Sequence, residues 1–432
     1  MDFVAFILLN AVLFIRPMEF VPVLRGLPLY NMAFCFCVFF SFPMLFAKNT
    51  LRSICGHPIG LCVLTVAATG VLSSLAPGGV AEAADTLDVL GKVVFYYILL
   101  VVVVRSPARM KWFLASLVVD GCIVAALGVA DYKGIYKVPG LAMVEETRFV
   151  SGIEVLYRRL GSTGLFGDPN DLSLLIVGCV VNSLYLASDR SVGVSLRAFW
   201  LLLPLPVLFQ ALLLTYSRAG MLMLLVAIAI YAIARYGCRV LILIFPALSV
   251  VLGIGGRQMD FQLSAGSGQS RIAIWDLYYG LFFQKPVLGV GYSHCMDYAD
   301  QVAHNSYLHA YVELGFFGGT AFLSAFILSL WALLRIGSLR TRGLDAELAR
   351  LWPFLLAGVG CYAFGIMSLS RCYVVPTFTT LGLAAAYERM ALAASPRQPL
   401  RFGLNLIVLI LITSLVFLAG MFIIIKKNAN YY

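Results

Sequence analysis

The sequence predicts an all-α fold, a polytopic membrane bundle of roughly 12–13 transmembrane helices with a large extracytoplasmic loop that contains short helices. Of 432 residues, 61% are hydrophobic and only 12% are charged, whereas a soluble domain keeps about 25% of its residues charged. Apolar runs long enough to cross about 30 Å of hydrocarbon recur along the whole chain. These observations predict a single integral membrane domain over residues 1–432.

Thirteen apolar runs are candidate spans, but the first and the twelfth are short, so twelve spans is an equally good count. No basic region precedes the first run, so we expect no cleavable signal peptide. The candidates are 2–15, 28–47, 59–76, 89–104, 112–130, 172–188, 198–215, 219–234, 239–254, 306–334, 351–369, 374–390 and 404–425.

The basic residues predict the orientation, because short cytoplasmic loops are enriched in Lys and Arg. With a cytoplasmic N-terminus, alternate short loops contain about half of the 31 Lys and Arg residues and few of the 21 acidic ones. The formal net charge of +10 then lies almost entirely on the cytoplasmic side. It is explained by membrane topology and does not indicate nucleic-acid binding.

The cysteines and histidines predict neither a disulfide framework nor a catalytic metal. The ten cysteines are scattered through the predicted spans, and only Cys295 clearly lies in an outer loop, with Cys372 near one. Of the four histidines, the nearest pair is His304 and His309, which are five apart and lack the glutamate of a zinc-protease helix between them.

Two predicted outer segments are too long to be simple connectors. In segment 131–171, Phe149, Ile153, Tyr157 and Leu160 recur at helical spacing, which indicates a short amphipathic helix on the membrane surface. A solvated connector is an equally good interpretation of this pattern.

The second outer segment, 255–305, is the large loop of the predicted fold. A Ser/Gly stretch leads into a helical pattern from Arg271 to Phe283, and Pro286, Gly289 and Gly291 then interrupt it. Long loops in a compact protein are usually functional, so we expect the working residues here. The chain contains no internal repeat, which disfavours a secondary transporter.

Three basic side chains share one local arrangement at the predicted outer face: each lies at the start of a helix. A cation is disfavoured there by about 0.3–1 kcal/mol, whereas free N–H groups bind phosphate, so the pattern favours a diphosphate site. An arginine at a membrane boundary is also a common anchor, and that alternative holds for each arginine alone. The predicted caps are Ser217 before Arg218, Ser270 before Arg271, and Asn305 or Ser306 after His304.

The sixth span has a strong start signal. Asp168 as N-cap, Pro169 at the first position and Asp171 in the first turn are explained by helix initiation alone. Helix initiation does not explain Asn170, which is therefore a candidate for hydrogen bonding to substrate. Asp120 lies midway along the fifth span, where it is expected to be protonated or bonded to another helix.

The stretch from Ala303 to Gly318, with His304, Asn305, Glu313 and Gly315, resembles the signature of the O-antigen ligase and O-antigen polymerase superfamily. The preceding Arg271…Trp275…Pro286…Gly289-Val-Gly291 is similar to the large outer loop of that family. Thr215–Gly220 resembles its Ser-Arg-Gly turn, and Phe166–Leu172 resembles its Pro-Asn helix start. The resemblance extends over about residues 90–390; the extra apolar run 404–425 departs from it and would place the C-terminus outside.

The resemblance implies a multi-pass glycosyltransferase of the bacterial inner (cytoplasmic) membrane, with its active site facing the periplasm. It would use an undecaprenyl-diphosphate-linked glycan as donor and need no metal or nucleotide cofactor. Residues matching Arg218 and Arg271 would hold the diphosphate, and the histidine matching His304 would activate the acceptor. Further candidates for substrate binding are Arg159, Asn170, Asn305, Tyr307 and Glu313.

The chemistry is compatible with these residue types. A lipid diphosphate leaves readily once its charge is stabilised, and a largely neutral histidine takes the proton of the attacking hydroxyl. A single displacement predicts inversion at the anomeric carbon.

Several functions are compatible with the sequence. A ligase would transfer the glycan en bloc to lipid A-core, and a polymerase would use a second lipid-linked glycan as acceptor. The sequence does not separate these two, because both need one diphosphate site and differ only in the acceptor; we modestly favour the ligase. A lipid-linked glycan flippase is disfavoured, since Asp120 is nearly alone at membrane depth. A structural membrane scaffold would leave both long outer segments unexplained.

Overall fold

A computed structural model describes residues 1–139, 141, 143–150, 153–240, 267–337, 343–393 and 398–428. In this part of the chain helices dominate and β structure is limited to one hairpin, as the all-α prediction requires. The helices are α1 (Asp2–Ile15), α2 (Leu29–Leu45), α3 (Thr50–Cys55), α4 (Pro58–Val103), α5 (Pro107–Tyr132), α6 (Pro169–Ala187), α7 (Val194–Leu202), α8 (Pro204–Leu214), α9 (Arg218–Tyr236), α10 (Ser267–Gln284), α11 (Ser306–Gly337), α12 (Ala346–Gly365), α13 (Val375–Ala393) and α14 (Leu404–Asn428).

Eight helical segments among the described residues are long and apolar enough to cross a membrane: α4, α5, α6, α7 with α8, α9, α11, α12 with its following turn, and α14. The protein is therefore a multi-pass membrane protein, and the extra C-terminal run does form an apolar helix. The helix α4 contains two predicted spans, 59–76 and 89–104, joined by a kink at Gly79 with φ 67°.

The remaining predicted spans differ from the structure for simple reasons. The helices α1 and α2 have only 14 and 17 residues. The helix α13 is made more polar by Glu388, Arg389 and several threonines, so it is not among the eight. The predicted span 239–254 lies outside the described residues except at its first two positions. The expected number of 12–13 spans stays a prediction.

Contacts between Cα atoms divide the chain into two compact units. The first contains α1, most of α2, α5 to α9, the hairpin and α12; the second contains α3, α4, α10, α11, α13 and α14. A single membrane domain over 1–432 stays a prediction.

Small residues allow close helix packing in the first unit. A Cβ added at Gly220 of α9 would lie 2.6 Å from the Cβ of Ser173 on α6. One added at Gly121 of α5 would lie 2.3 Å from the sulfur of Cys179, also on α6. Close backbone approach at small residues is the usual device for helix association in lipid, where burial of apolar surface gives little driving force.

Asp120 is buried in α5, with 4% of its surface exposed. Its Oδ2 has no hydrogen-bond partner among the described residues, so this oxygen does not make the expected bond to another helix.

The predicted amphipathic helix in segment 131–171 is wrong. The chain instead forms an antiparallel hairpin of β1 (Val144–Val150) and β2 (Ile153–Arg159), in which Val150 pairs with Ile153 and Val144 with Arg159. The spacing that suggested a helix also fits alternation along a strand, and the composition decides between them. β-Branched and aromatic residues favour strands. In the two strands these residues are Val144, Thr147, Phe149, Val150, Ile153, Val155 and Tyr157.

Candidate functional site

In the first unit, the N-termini of α6 and α9 are joined by a side-chain hydrogen bond. Asp168 caps α6 by accepting from the backbone N–H of Asn170 at 2.7 Å, and Ser217 caps α9 by accepting from Gly220 N at 3.1 Å. The Ser217 hydroxyl donates to Asn170 Oδ1 at 2.8 Å. Both predicted caps are confirmed, and Arg218 is the first residue of α9.

Arg159 braces this junction from the end of β2. Its Nε donates to Thr215 O at 3.0 Å and its Nη2 donates to Asn170 Oδ1 at 3.2 Å, while Nη1 lies 3.3 Å from Glu146 Oε2. The structure thus brings together Arg159 and Asn170, two of the predicted site residues. Because the guanidinium is directed to protein groups, Arg159 is placed to orient Asn170.

Asn170 keeps its donor group available. Its Oδ1 accepts from both Arg159 and Ser217, whereas its side-chain nitrogen Nδ2 makes no hydrogen bond to a described residue. Two helix N-termini and the guanidinium at the start of α9 favour an anion at this junction. The carboxylates of Asp168 and Asp171 at the start of α6 oppose it.

In the second unit, His304 occupies a left-handed turn immediately before α11. Its φ is +47°, a conformation that few non-glycine residues adopt. Asn305 caps α11, since its Oδ1 accepts from Tyr307 N at 3.1 Å and Leu308 N at 3.2 Å. The cap predicted at Asn305 or Ser306 is therefore confirmed at Asn305, which is buried and has a structural role.

Ser306 ties the start of α11 to the segment before α13. Its hydroxyl donates to Leu369 O at 2.6 Å and accepts from Arg371 N at 2.8 Å. The His304 turn is therefore held on its C-terminal side by the cap and by this second attachment.

The helix α10 holds the same turn from its N-terminal side. Trp275 Nε1 donates to the carbonyl oxygen of Ala303 at 2.7 Å, and the hydroxyl of Tyr278 donates to Gln301 O at 2.7 Å. Arg271 lies four residues before Trp275 and so shares its face of α10. The helix begins at Ser267, which places Arg271 in the second turn; the prediction of a Ser270 cap is wrong because α10 starts earlier than the Gly/Ser pattern suggested.

Tyr307 and Glu313, two further predicted site residues, are buried. The ring of Tyr307 packs against Phe322, Phe326 and Phe417 at centroid distances of 5.6–6.0 Å. Glu313 is 1% exposed, and its Oε1 lies 3.0 Å from His309 Nε2. The spacing of His309 and Glu313, one helical turn, was a readable signal that sequence reasoning missed.

The helix α11 is broken at Gly315, which has φ 68° and ψ −168°. Loop residues form hydrogen bonds with backbone groups that lose their helical partners at the break. Val290 N donates to Val312 O at 2.9 Å, and Gly291 N donates to Glu313 O at 3.2 Å. On the other side of the break, Phe316 N donates to Pro286 O at 2.7 Å. Irregular backbone at membrane depth is tolerated where such partners exist. The predicted continuous span 306–334 is therefore two helices, because a glycine and a pairing loop segment coincide.

The outer loop is further attached through His294, whose two ring nitrogens contact Glu82 and Asp297. The hydrogen bond with Asp297 raises the pKa of His294; partial burial opposes this, and the Glu82 carboxylate adds to the increase. Burial raises the pKa of the neighbouring Cys295 thiol, and the carboxylate of Glu313 adds to that increase.

Residues 203–323 match the family model described as O-antigen ligase. The predicted resemblance to the O-antigen ligase and polymerase superfamily is thereby confirmed, over a segment shorter than 90–390. The match contains Arg218, Arg271, His304 and the Gly315 break. No curated protein sequence matches this chain. The match supports a coarse assignment as a ligase- or polymerase-type glycosyltransferase acting on lipid-linked glycans.

Proposed function

We propose that the protein transfers a glycan en bloc from undecaprenyl diphosphate to a hydroxyl of lipid A-core at the periplasmic face of the bacterial inner membrane. The observation that carries the proposal is the His304 turn. His304 is held in a rarely populated backbone conformation immediately before α11. Trp275 of α10, the helix that contains Arg271, donates a hydrogen bond to Ala303, the residue before His304. Unfavourable conformations of this kind concentrate at functional sites.

His304 acts as the general base in this proposal. It takes the proton of the acceptor hydroxyl while that oxygen attacks the anomeric carbon of the donor. The bond from the anomeric carbon to the diphosphate oxygen breaks, and its electron pair leaves with undecaprenyl diphosphate. One displacement of this kind inverts the anomeric centre, and no step passes through a metal or a nucleotide cofactor.

Arg218 and Arg271 stabilise the charge that develops on the leaving diphosphate. The N-terminus of α9 supports Arg218 in this role, because the positive end of the helix dipole also favours a nearby anion. Asn170 presents its amide nitrogen to a phosphate or sugar oxygen, and Arg159 acts as a positioning residue that fixes Asn170. Asn305 supports the His304 turn by capping the helix that follows it.

The test is glycan transfer by purified protein in nanodiscs, without added metal or nucleotide. One reaction contains an undecaprenyl-diphosphate glycan and lipid A-core, and a second contains excess lipid-linked glycan alone. A glycan-bearing lipid A-core with inverted linkage supports the proposal. A ladder in the second reaction alone replaces it with polymerisation at the same site, and a retained linkage refutes the single displacement.

The variants are chosen to separate chemistry from folding. His304→Asn removes the base but keeps a residue that tolerates positive φ, so we expect a loss of about 10²–10⁴-fold in rate with little loss of stability. Arg218→Gln should cost about 10²–10³-fold. Arg235→Gln, at the exposed opposite end of α9, is the matched control and should leave the rate unchanged. A fully active His304→Asn would remove His304 from the mechanism.

A further inference from the structure

Three side chains that have no assigned chemical step in the proposed transfer meet in the second unit. A nitrogen of His309, a carboxylate oxygen of Glu313 and the sulfur of Cys295 all lie within 4.8 Å of one another. All three residues are buried, with exposed fractions of 8%, 1% and 1%. One Cys, one His and one Glu supply sulfur, nitrogen and oxygen, the donor atoms that Zn²⁺ prefers, for three of the four positions of a tetrahedral site.

The backbone holds this cluster in place. His309 and Glu313 are one turn apart on the first half of α11, so their side chains share a helix face. Cys295 comes from the outer loop, which is paired with α11 through Val290 N to Val312 O and Gly291 N to Glu313 O. The donor atoms therefore come from two segments whose relative position is fixed by hydrogen bonds.

The cluster also contains polar atoms that the described protein leaves unsatisfied. Glu313 Oε2 and His309 Nδ1 are buried, and neither has a hydrogen-bond partner among the described residues. The buried hydroxyl of Tyr373 also has no hydrogen-bond partner among the described residues, by distance and angle. The centroid of the Tyr373 ring lies 6.1 Å from that of the His309 ring. A buried carboxylate oxygen without a partner is unfavourable, which favours a ligand at this position.

Charge balance is consistent with a divalent cation. When the Cys295 thiol gives up its proton, the thiolate and the Glu313 carboxylate together neutralise a 2+ ion, and His309 coordinates as a neutral imidazole. The resulting group carries no net charge. A buried site tolerates such a group far better than an unpaired ion.

We propose that Cys295, His309 and Glu313 bind one Zn²⁺ ion that fastens the outer loop to the first half of α11. The ion is structural: it fixes the loop against the helix that begins after His304 and takes no part in glycan transfer. Metal content is measured without a glycan substrate, so this proposal stands or fails independently of the proposed function.

The test uses full-length protein with an affinity tag that contains no histidine, purified in detergent. We expect about one equivalent of zinc per chain by mass spectrometry of the metal. After removal of zinc and addition of Co²⁺, a thiolate-to-cobalt charge-transfer band and intense visible bands should report a tetrahedral site containing sulfur. Cys295→Ser should abolish the charge-transfer band and weaken zinc binding by more than about 100-fold.

Two control variants should leave the metal in place. Cys238→Ser removes an exposed cysteine of the first unit. His294→Gln removes the neighbouring loop histidine, which contacts Glu82 and Asp297 instead. Equal zinc in Cys295→Ser and wild-type protein would overturn the proposal, as would wild-type protein that binds neither zinc nor cobalt.

A measurement on the wild-type chain tests the site without a substitution, so it remains decisive if a variant does not fold. Alkylation of Cys295, followed by peptide mass spectrometry, should be slower in zinc-loaded than in zinc-free protein, while alkylation of exposed Cys35 should be unaffected. Equal alkylation rates of Cys295 with and without zinc would also refute the site.

Discussion

The break in α11 depends on Gly315, and replacing this residue tests the account of the outer loop. Gly315 has φ 68° and ψ −168°, a region that essentially only glycine occupies. A Cβ at this position would lie 2.2 Å from the carbonyl oxygen of Val287. Gly315→Ala therefore cannot be accommodated without moving the loop away from the helix.

The expected cost follows from these two effects. The backbone conformation costs about 1–3 kcal/mol for a residue other than glycine. Shifting the loop weakens the bonds from Phe316 N to Pro286 O and from Val290 N to Val312 O, each worth about 1 kcal/mol. We expect Gly315→Ala to lower the free energy of unfolding by about 3–5 kcal/mol. Glycan transfer should fall as well, because the half-helix that follows His304 loses its attachment.

Thermal unfolding in one detergent, followed by tryptophan fluorescence, measures the effect on stability. Gly280→Ala is the matched control: Gly280 lies within α10, and no atom lies within 4 Å of an added Cβ. Alanine there should be neutral or stabilising by up to about 1 kcal/mol. If Gly315→Ala unfolds at the wild-type temperature, the break does not need glycine and the reasoning fails.

Three other changes test the local electrostatics and capping through the melting temperature. Asn305→Ala should cost about 1 kcal/mol through loss of the α11 cap, whereas Asn305→Asp should preserve it; equal melting of the two would contradict the cap. The hydrogen bond with Asp297 raises the pKa of His294, so the stabilisation is complete below the unfolded pKa of about 6.5 and lost as pH rises through the folded value. Wild-type stability should therefore fall as the pH rises above about 6.5, and His294→Gln should remove that dependence. Burial opposes the charge of Asp189, but hydrogen bonds, of which that from Lys111 is the strongest, hold the pKa of Asp189 well below its usual range. Asp189→Asn should therefore lower the melting temperature at neutral pH. In the wild type, the stability that ionised Asp189 contributes should be lost as the pH falls below about 4.

Three of the four predicted helix caps were confirmed, because a cap depends on local sequence; the Ser270 cap was not. Asp168, Ser217 and Asn305 each bond to a backbone N–H two or three residues later, so the residue type and the start of an apolar run contain the needed information. The apolar spans were predicted for the same reason, since a run of residues decides whether a helix can lie in lipid.

Features that depend on distant residues could not be predicted. The hairpin replaced the expected amphipathic helix because the hydrophobic spacing was ambiguous and pairing between β1 and β2 decided it. Arg159 meets Asn170 and Thr215 only through tertiary structure. The cluster of Cys295 with His309 and Glu313 likewise needs the loop to return to α11, which no local pattern specifies.

The motif glycines gain a joint physical explanation from the break in α11. Gly289 has φ 74°, and a Cβ there would lie 2.4 Å from the backbone of Glu313; Gly315 has the corresponding conflict with Val287. A side chain at Gly289 would collide with α11, and one at Gly315 would collide with the loop. Replacing either glycine alone would therefore separate the loop from the helix. The half-helix after His304 is attached at its start by Asn305 and at its end by this glycine pair. We infer that the break fixes this half-helix from both ends, so the proposed base is positioned by its own short, rigid element.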